Sequence, residues 1–310
     1  MQYGFVEMAD GSKRRVSRLI LGSSVFGGTT PEETAFRLMD RFFERGGNAI
    51  DTARVYCEWL PGGYGASERT VGKWIRSRGM RKDVFLITKG AHPRFESMHT
   101  SRLAPEDIRG DMEKSLDALG LDHVDLYYLH RDDERLPVSG IMQTLDSLVR
   151  EGCALAIGGS NWRAARLAEA NAWAAAHGAA RFTASEVRWS YADFTGTGGD
   201  DTLVTMDEGE MAAYKAMNLA VMAYSSQAGG LFSRGYKPDL SDVSPKHAAF
   251  ATPENIRRYA ALLARCANES GMMPSRVVLE YVAKHPKLNG FALVGASNTA
   301  QLDESLDAMT

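Results

Sequence analysis

The 310-residue chain has few cysteines and no cysteine motif. Its three cysteines, Cys57, Cys153 and Cys266, are scattered and odd in number, and no C-x-x-C pair occurs. This argues against a disulfide framework and against a cysteine-based zinc site, and it fits the reducing cytoplasm. We therefore expect a cytoplasmic protein that holds no metal.

Long apolar runs and an excess of positive charge are also missing. No stretch approaches the length of about 18 apolar residues that a membrane span needs. The opening residues, MQYGFVEMADGSKRR, lack the apolar core of a signal peptide. The formal net charge is -3, which gives no electrostatic footprint for nucleic acid or an anionic membrane. We expect a protein that binds neither.

Three common catalytic motifs are absent as well. No G-x-G-x-x-G follows a predicted strand, and the glycine-rich residues 196–199 fall in an irregular loop, so the chain is not Rossmann-like. The metal-binding spacing H-x-x-x-H does not occur. The nucleophile elbow G-x-S-x-G of a serine hydrolase is also missing.

The composition is that of an ordinary globular protein. Hydrophobic residues make up 44% of the chain and charged residues 24%, and the length suits one large α/β domain. No linker or change of composition divides the chain. We therefore expect residues 1–310 to form a single domain.

Short apolar runs alternate with segments of helical periodicity along the chain. In the first such segment, Thr30 and Pro31 precede two acids, apolar residues recur at helical spacing from Ala35 to Phe43, and two glycines follow. The pattern repeats to give eight predicted strands, each followed by a helix. Alternating units with short connections predict a parallel sheet, and eight of them close into a barrel.

Two additions to the barrel are predicted. Residues 1–16 have the pattern of a β-hairpin with a turn at residues 9–12. The longest irregular segments, residues 91–103, 189–207 and 225–252, each follow a predicted strand and should lie over the mouth. The predicted fold class is α/β, a (β/α)8 TIM barrel with an N-terminal β-hairpin and loops covering the C-terminal face.

Polar side chains end three of the predicted strands. One apolar strand runs into Asp51, with Tyr56 five residues later, and the next two strands end at Lys89 and His130. The carboxyl ends of barrel strands are where barrel enzymes carry out chemistry, and a buried carboxylate needs a charged partner. Taken singly, each residue could simply cap a turn or pack in the core. Together they predict a site.

Five motifs in this order resemble the aldo-keto reductase superfamily. They are Asn48-x-x-Asp51-Thr52-Ala53-x-x-Tyr56, Gly65-x-Ser67-Glu68, Thr88-Lys89, Leu129-His130 and Gly158-x-Ser160-Asn161. The resemblance covers essentially the whole chain, as far as Gly295-Ala296-Ser297. It implies a (β/α)8 barrel that uses NAD(P)(H) to interconvert aldehydes, ketones or sugars with alcohols.

The resemblance implies that Asp51, Tyr56, Lys89 and His130 are catalytic, and the chemistry of these groups agrees. Hydride addition places negative charge on a carbonyl oxygen, which then needs a proton donor and polar surroundings. Tyrosine, with an ordinary pKa of about 10, is a poor acid unless a cation such as Lys89 stabilises its phenolate. Asp51 would hold Lys89, and His130 would donate to the same oxygen. In the oxidative direction the Tyr56 phenolate is the base.

The resemblance also implies where the cofactor binds. Ser160 and Asn161 match the pair that holds the nicotinamide carboxamide. Glu186 stands where the family has a glutamine, and a carboxylate accepts a hydrogen bond there but cannot donate one. Tyr224 and Ser225 end the seventh barrel strand, beside the usual barrel phosphate site. The remaining expected contacts are Gly229, Gly295, Ser297 and Gln301.

NADP(H) is the cofactor that the resemblance implies by default. However, residues 295–306 contain no basic side chain for a 2′-phosphate and carry Asp303 and Glu304 instead. Arg234 or Lys237, in the preceding loop, are candidates for that role. NAD(H) use therefore stays open.

Aromatic and polar residues of the mouth loops are candidate substrate contacts. They are Trp59, His92, Arg131, Trp162 and Trp189. An aromatic wall with a few polar groups suits a sugar as well as an aromatic ketone, and we favour a sugar or glycoside. Packing under a loop explains any one of the tryptophans equally well. The sequence does not indicate an oligomeric state.

Two other functions stay open. Relatives of the potassium-channel β-subunits use the same barrel, with bound nucleotide, as a redox-sensing regulatory module. The scaffold also suits an isomerase or lyase that recycles a bound nicotinamide. Stoichiometric consumption of the cofactor distinguishes an oxidoreductase from both, and the fold alone does not. The four-residue site favours the oxidoreductase.

Overall fold

The computed structural model describes residues 1–309, which begin with an antiparallel hairpin. Its strands are β1 (Tyr3–Glu7) and β2 (Lys13–Ser17). Val6 packs among the side chains inside the barrel, and Asn289, at the start of the last strand, donates from Nδ2 to the carbonyl of Phe5 at 2.8 Å. The predicted hairpin is confirmed, and it closes the end of the barrel at which the strands begin.

Eight parallel strands close into a barrel, and the last is hydrogen-bonded to both the first and the seventh. Going round the barrel they are β3 (Leu19–Gly22), β4 (Ala49–Asp51), β5 (Phe85–Gly90), β6 (Leu126–Leu129), β7 (Ile157–Ser160), β8 (Phe182–Arg188), β9 (Ala220–Tyr224) and β10 (Asn289–Val294). Their side chains are buried on both faces, as in strands covered by helices outside and filled by packing inside. The predicted (β/α)8 barrel is confirmed.

Helices cover the outside of this barrel. In the described chain they are α1 (Glu32–Glu44), α2 (Ala66–Arg78), α3 (Pro105–Leu119), α4 (Val138–Arg150), α5 (Ala164–His177), α6 (Glu208–Met217), α7 (Pro253–Asn268), α8 (Pro274–Ala283) and α9 (Thr299–Asp307). The buried residues of α1, Ala35, Leu38, Met39 and Phe42, recur at the helical spacing that predicted the helix. No helix among residues 1–309 is long and apolar enough to cross a bilayer.

The long connections lie at the carboxyl ends of the strands, as predicted. The longest follows β9 and contains two 3-10 helices, Ala228–Ser233 and Pro245–Phe250. Leu231 and Phe232 in this connection pack against Tyr259 of α7 in an apolar cluster separate from the barrel core. That cluster holds the connection against the helices and fixes its polar residues relative to the mouth.

Candidate active site

Lys89 on β5 is the centre of a buried cluster at the mouth. It is 0% exposed, and its Nζ lies 2.6 Å from each carboxylate oxygen of Asp51, on the adjacent strand β4. The same Nζ donates to Tyr56 Oη at 3.0 Å and to the Thr52 carbonyl at 3.2 Å. Burial disfavours the charged lysine, but Asp51 and Glu186 outweigh that effect and hold the pKa of Lys89 above its ordinary value.

Tyr56 faces this ammonium from the loop after β4. Its Oη lies 3.4 Å from Asp51 Oδ2, and the Lys89 Nζ is 4.9 Å from the centre of its ring. Burial raises the pKa of Tyr56, the lysine lowers it, and Asp51 and Glu186 raise it again. Lys89 thus acts in the direction that the sequence indicates, but the opposing effects exceed it. The phenol therefore keeps its proton at neutral pH, beside the cation that would stabilise its phenolate.

His130 follows β6 and faces Tyr56, with ring centres 5.9 Å apart and ring planes at 77°. Burial lowers the pKa of His130 well below its ordinary value, and His92, Arg131 and Lys89 add to this effect. Its Nδ1 has no hydrogen-bond partner in the described chain. The imidazole is therefore neutral at pH 7, with one N–H to donate.

Glu186 on β8 places a second carboxylate beside Lys89. It is 2% exposed, and its Oε1 lies 3.4 Å from the lysine Nζ. Its Oε2 accepts no hydrogen bond from residues 1–309. The pKa of Glu186 is raised to about 8, because burial and the neighbouring Asp51 raise it and Lys89 only partly opposes them. The cluster thus contains two carboxyl groups around one ammonium.

Asn161, directly after β7, is held rigidly in a left-handed backbone conformation with a φ of 58°. Its Nδ2 donates to the His130 carbonyl at 3.3 Å and to Ser160 Oγ at 3.2 Å. Its Oδ1 accepts from the Val204 amide at 3.1 Å and from Tyr224 Oη at 2.7 Å. Asparagine tolerates this conformation better than most residues do. Tyr224 thus uses its hydroxyl to position Asn161.

A cavity of about 770 Å³ extends from this cluster to α9. Asp51, Tyr56 and His130 line its inner end, and Lys89 lies behind them, in contact with Asp51 and Tyr56. All the residues expected to contact a cofactor lie on its wall: Ser160, Asn161, Glu186, Tyr224, Ser225, Gly229, Gly295, Ser297 and Gln301. The fold therefore brings the two predicted sets of residues together around one space.

The outer part of the cavity contains a cation that the sequence did not reveal. Arg234 and Lys246 both line it, whereas the other sequence candidate, Lys237, does not. The Lys246 Nζ lies 3.4 Å from the carbonyl of Gly229, which has a φ of 67°. A Cβ on Gly229 would come within 3.1 Å of the lysine side chain, so this position favours glycine on two counts. No motif marks Lys246, because only the folding of the long connection brings it to the cavity.

The lining fits a nicotinamide dinucleotide. Near Tyr56, the hydroxyl of Ser160 can donate to a carboxamide, and Asn161, whose amide is used within the protein, positions that hydroxyl by donating to it from Nδ2 at 3.2 Å. At the outer end, Arg234 and Lys246 suit anionic phosphates. The volume is also within the range of ordinary ligand sites, about 300–1,000 Å³.

Aromatic rings lead from the surface to His130 on the other side of the cluster. Trp59 and Phe95 are each 48% exposed, with ring centres 6.2 Å apart. Phe95 lies 5.4 Å from the ring of His92, which lies 4.7 Å from the ring of His130. Trp59 and His92, two of the predicted substrate contacts, belong to this series of rings. Phe95 was missed, because its loop carries no motif.

Four of the five predicted substrate contacts are not among the residues that line the cavity: Trp59, His92, Trp162 and Trp189. Trp162 is 0% exposed, packs edge-on to Phe182 at 5.2 Å, and donates from Nε1 to the Arg131 carbonyl at 3.3 Å. Trp189 is 3% exposed and packs against Tyr281 of α8. Both rings are used in packing beneath the loops. Arg131 does line the cavity.

The fold and the geometry of the site define the class of protein. It is a closed (β/α)8 barrel with a buried Asp–Lys–Tyr–His cluster at its mouth. The chain belongs to the aldo/keto reductase family, whose family model matches residues 18–310. The resemblance seen in the five motifs is therefore confirmed.

Relatives of this chain are named as oxidoreductases. A norsolorinic acid reductase of Emericella nidulans is 31% identical over 95% of this chain and 74% of its own length. An uncharacterized oxidoreductase of Bacillus subtilis is 30% identical, over 95% of this chain and 88% of its own. An aryl-alcohol dehydrogenase of Pestalotiopsis microspora is 25% identical, over 98% and 77%. These relationships support an oxidoreductase.

Replacing Lys89 with methionine leaves Asp51 and Glu186 buried without their cation. We expect the free energy of unfolding at pH 8 to fall by about 3–5 kcal/mol, the usual cost of breaking a buried pair. Without the cation, the folded-state pKa of each carboxyl lies further above its unfolded value, so the loss grows as pH rises and shrinks as pH falls toward about 4.5. Urea denaturation of wild type and Lys89→Met at pH 5, 6.5 and 8 measures this loss of unfolding free energy.

The matched control is Lys73→Met, which removes a lysine that is 58% exposed and 2.5 Å from Glu32. An exposed pair contributes little, so this variant should stay within about 0.5 kcal/mol of wild type at each pH. A loss in Lys89→Met that does not change with pH would contradict an ionised buried pair.

Proposed function

We propose that this protein interconverts a carbonyl compound and an alcohol, with Tyr56 as the general acid and base and a nicotinamide cofactor as the source or acceptor of hydride. The observation that carries this is one contact set: the Lys89 Nζ lies 3.0 Å from Tyr56 Oη and 2.6 Å from both oxygens of Asp51, at the inner end of the cavity. Membership of the family supports the same reaction class.

Tyr56 supplies the proton because its protonation state changes only when charge develops nearby. Its raised pKa keeps the phenol neutral in the resting protein. As negative charge builds on the substrate oxygen, the phenol donates its proton, and the new phenolate accepts a hydrogen bond from the adjacent ammonium of Lys89. In the direction of alcohol oxidation the same phenolate accepts the proton. Asp51 keeps the lysine in position throughout.

His130 orients the substrate. It is neutral, faces Tyr56 at 5.9 Å between ring centres, and lines the cavity. A neutral imidazole donates one hydrogen bond to the substrate oxygen without competing for the proton that Tyr56 delivers. The two rings thus approach that oxygen with one donor each.

We propose NADP(H) as the cofactor, with NAD(H) as the alternative. Ser160 and Asn161 would hold the nicotinamide carboxamide, and Arg234 and Lys246 would bind the 2′-phosphate. This assignment places the required cations on the connection after β9, since α9 offers none to the cavity in the described chain. The cavity-lining Glu304 is what favours NAD(H), because a carboxylate there repels a 2′-phosphate.

We propose an aromatic carbonyl compound or alcohol as the substrate. The exposed rings of Trp59 and Phe95 and the ring of His92 offer planar faces on the way to His130. The relatives named for norsolorinic acid and for aryl alcohols support this choice over the sugar favoured from sequence. Arg131, the charged candidate for binding sugar hydroxyls, already donates to Asp200 and Thr202.

Replacing Tyr56 with phenylalanine removes the proton donor and keeps the ring. We expect kcat to fall by about 10²–10⁴-fold, the usual contribution of a general acid, with little change in the Kd for NADPH. Turnover is followed by the absorbance of reduced nicotinamide with aromatic aldehydes, aryl ketones and oxidised sugars, and in reverse with alcohols and sugars.

Wild type tested with the same panel distinguishes the alternatives. Tight nucleotide binding without consumption would favour a redox-sensing regulatory subunit or an isomerase or lyase that recycles its nicotinamide. Consumption that persists at the wild-type rate in Tyr56→Phe would eliminate Tyr56 as the acid.

The double variant Trp59→Ala, Phe95→Ala should raise KM for aromatic substrates by roughly tenfold, the effect of about 1.4 kcal/mol of ring contact, and leave kcat nearly unchanged. For a small aliphatic aldehyde both constants should stay close to wild type. Phe5→Ala is the matched control, since this phenylalanine is 55% exposed but lies on the hairpin at the opposite end of the barrel. Equal losses for aliphatic and aromatic substrates would contradict an aromatic wall.

The double variant Arg234→Met, Lys246→Met should weaken NADPH binding by about ten- to a hundredfold, since a charge-assisted hydrogen bond contributes about 1.5–3 kcal/mol. NADH, which lacks the 2′-phosphate, should lose much less. Lys237→Met, outside the cavity lining, is the control, and fluorescence titration gives both dissociation constants. A parallel loss for the two nucleotides would argue against a 2′-phosphate site here.

A further inference from the structure

The ammonium of Lys89 cannot neutralise both carboxyl groups beside it. The Lys89 Nζ lies 2.6 Å from both carboxylate oxygens of Asp51, and it also donates to Tyr56 Oη and to the Thr52 carbonyl. Glu186 is left with one longer contact of 3.4 Å and an oxygen that no described residue partners. If both carboxyl groups were ionised, this buried cluster would carry a net negative charge, which is costly away from water.

The other titratable groups facing Glu186 do not supply a second cation. They come from several elements: Asp51 on β4, Tyr56 in the following loop, Lys89 on β5, Tyr128 on β6 and Tyr224 on β9. The tyrosines are neutral, because burial holds the pKa of each above its ordinary value. Lys89 alone among these groups is cationic. The excess negative charge is therefore removed by a proton.

That proton resides on Glu186 rather than on Asp51. Asp51 holds the ammonium with both oxygens, and protonating it would break the shorter contacts. Glu186 lines the cavity, and its Oε2 is buried without a partner, so a proton on Oε2 leaves the contact between Oε1 and Lys89 in place. The raised pKa of Glu186, about 8 and caused first by burial, agrees with this assignment.

We propose that Glu186 carries a proton in the resting protein, keeps it when the reduced cofactor binds beside it, and releases it to solvent when the oxidised cofactor binds. This inference rests on the proposed function. A protonated carboxyl is uncharged, as is a glutamine amide, so the departure from the family residue at this position keeps this part of the site neutral. It adds a group that ionises.

Ionisation couples Glu186 to the redox state of the cofactor. The oxidised nicotinamide is a cation and stabilises a carboxylate beside it, whereas the reduced ring is neutral and does not. Binding of the oxidised form therefore expels the proton, and rising pH favours that form over the reduced one. Glu186 is in this sense a positioning residue that also tunes the balance between the two cofactor states.

The test compares the dissociation constants of NADP⁺ and NADPH from pH 6 to 9 in wild type and Glu186→Gln. We expect the ratio Kd(NADP⁺)/Kd(NADPH) to fall by about tenfold with rising pH in wild type, equivalent to a shift of one pKa unit, and to stay flat in the variant. The phosphates are common to both nucleotides, so their titration cancels in the ratio. Calorimetry in buffers of different ionisation enthalpy should show proton release on NADP⁺ binding in wild type only.

The matched control is Glu304→Gln, which removes a carboxylate from the outer part of the same cavity. It should leave the pH dependence of the ratio as in wild type, whatever it does to both constants together. A ratio that is constant with pH in wild type, or that falls equally in Glu186→Gln, overturns the inference while leaving the proposed reaction intact.

Thermal unfolding of the unliganded protein tests the bound proton independently of any nucleotide. A folded-state pKa above the unfolded value makes stability fall as pH rises between the two, here from about 4.5 to about 8. The melting temperature of Glu186→Gln minus that of wild type should therefore increase across this window and level off above it. A constant difference overturns the inference. If neither nucleotide binds, the proposed function fails, and this measurement still decides whether Glu186 holds a proton.

Discussion

The buried ion pair between Lys89 and Asp51 is the interaction on which the site depends. An ammonium that is 0% exposed is tolerated only where a carboxylate meets it at close range, and the neighbouring strands β4 and β5 supply the two groups from a rigid scaffold. Because the pair cannot move, the phenol of Tyr56 is held at 3.0 Å from the same nitrogen. The ion pair thus holds the phenol of Tyr56 beside an ammonium at the barrel mouth.

Burial determines the charge of every group around this pair. It keeps the phenol of Tyr56 and the imidazole of His130 neutral, and it raises the pKa of Glu186 to about 8. The result is a mouth in which Lys89 and Asp51 carry the fixed charges while the groups facing the cavity are uncharged donors. Such groups change state only when a ligand brings charge to them. In the proposed reaction, the substrate oxygen and the cofactor would bring that charge.

Sequence reasoning succeeded for residues whose position depends on local patterns, and it failed for residues whose position depends on contacts with segments far away in the chain. Asp51, Lys89 and His130 were predictable because each ends a buried strand, and parallel strands in a barrel bring all such ends to one face. The loops gave a mixed result: Trp162 and Trp189 pack into the core, while Phe95 and Lys246 reach the mouth or the cavity without a sequence signal. A loop residue's direction depends on contacts with remote segments, which local patterns do not encode.

The sequence by itself determined the alternation of strands and helices, the hairpin, and the order in which polar residues reach the barrel mouth. Hydrophobic periodicity and helix caps are local properties, so they can be read without knowing the fold. Only the tertiary structure decided that Glu186 shares Lys89 with Asp51 and that cations from the connection after β9 enter the cavity. Both facts depend on closure of the barrel and on the burial that closure produces, and these exist only in the folded chain.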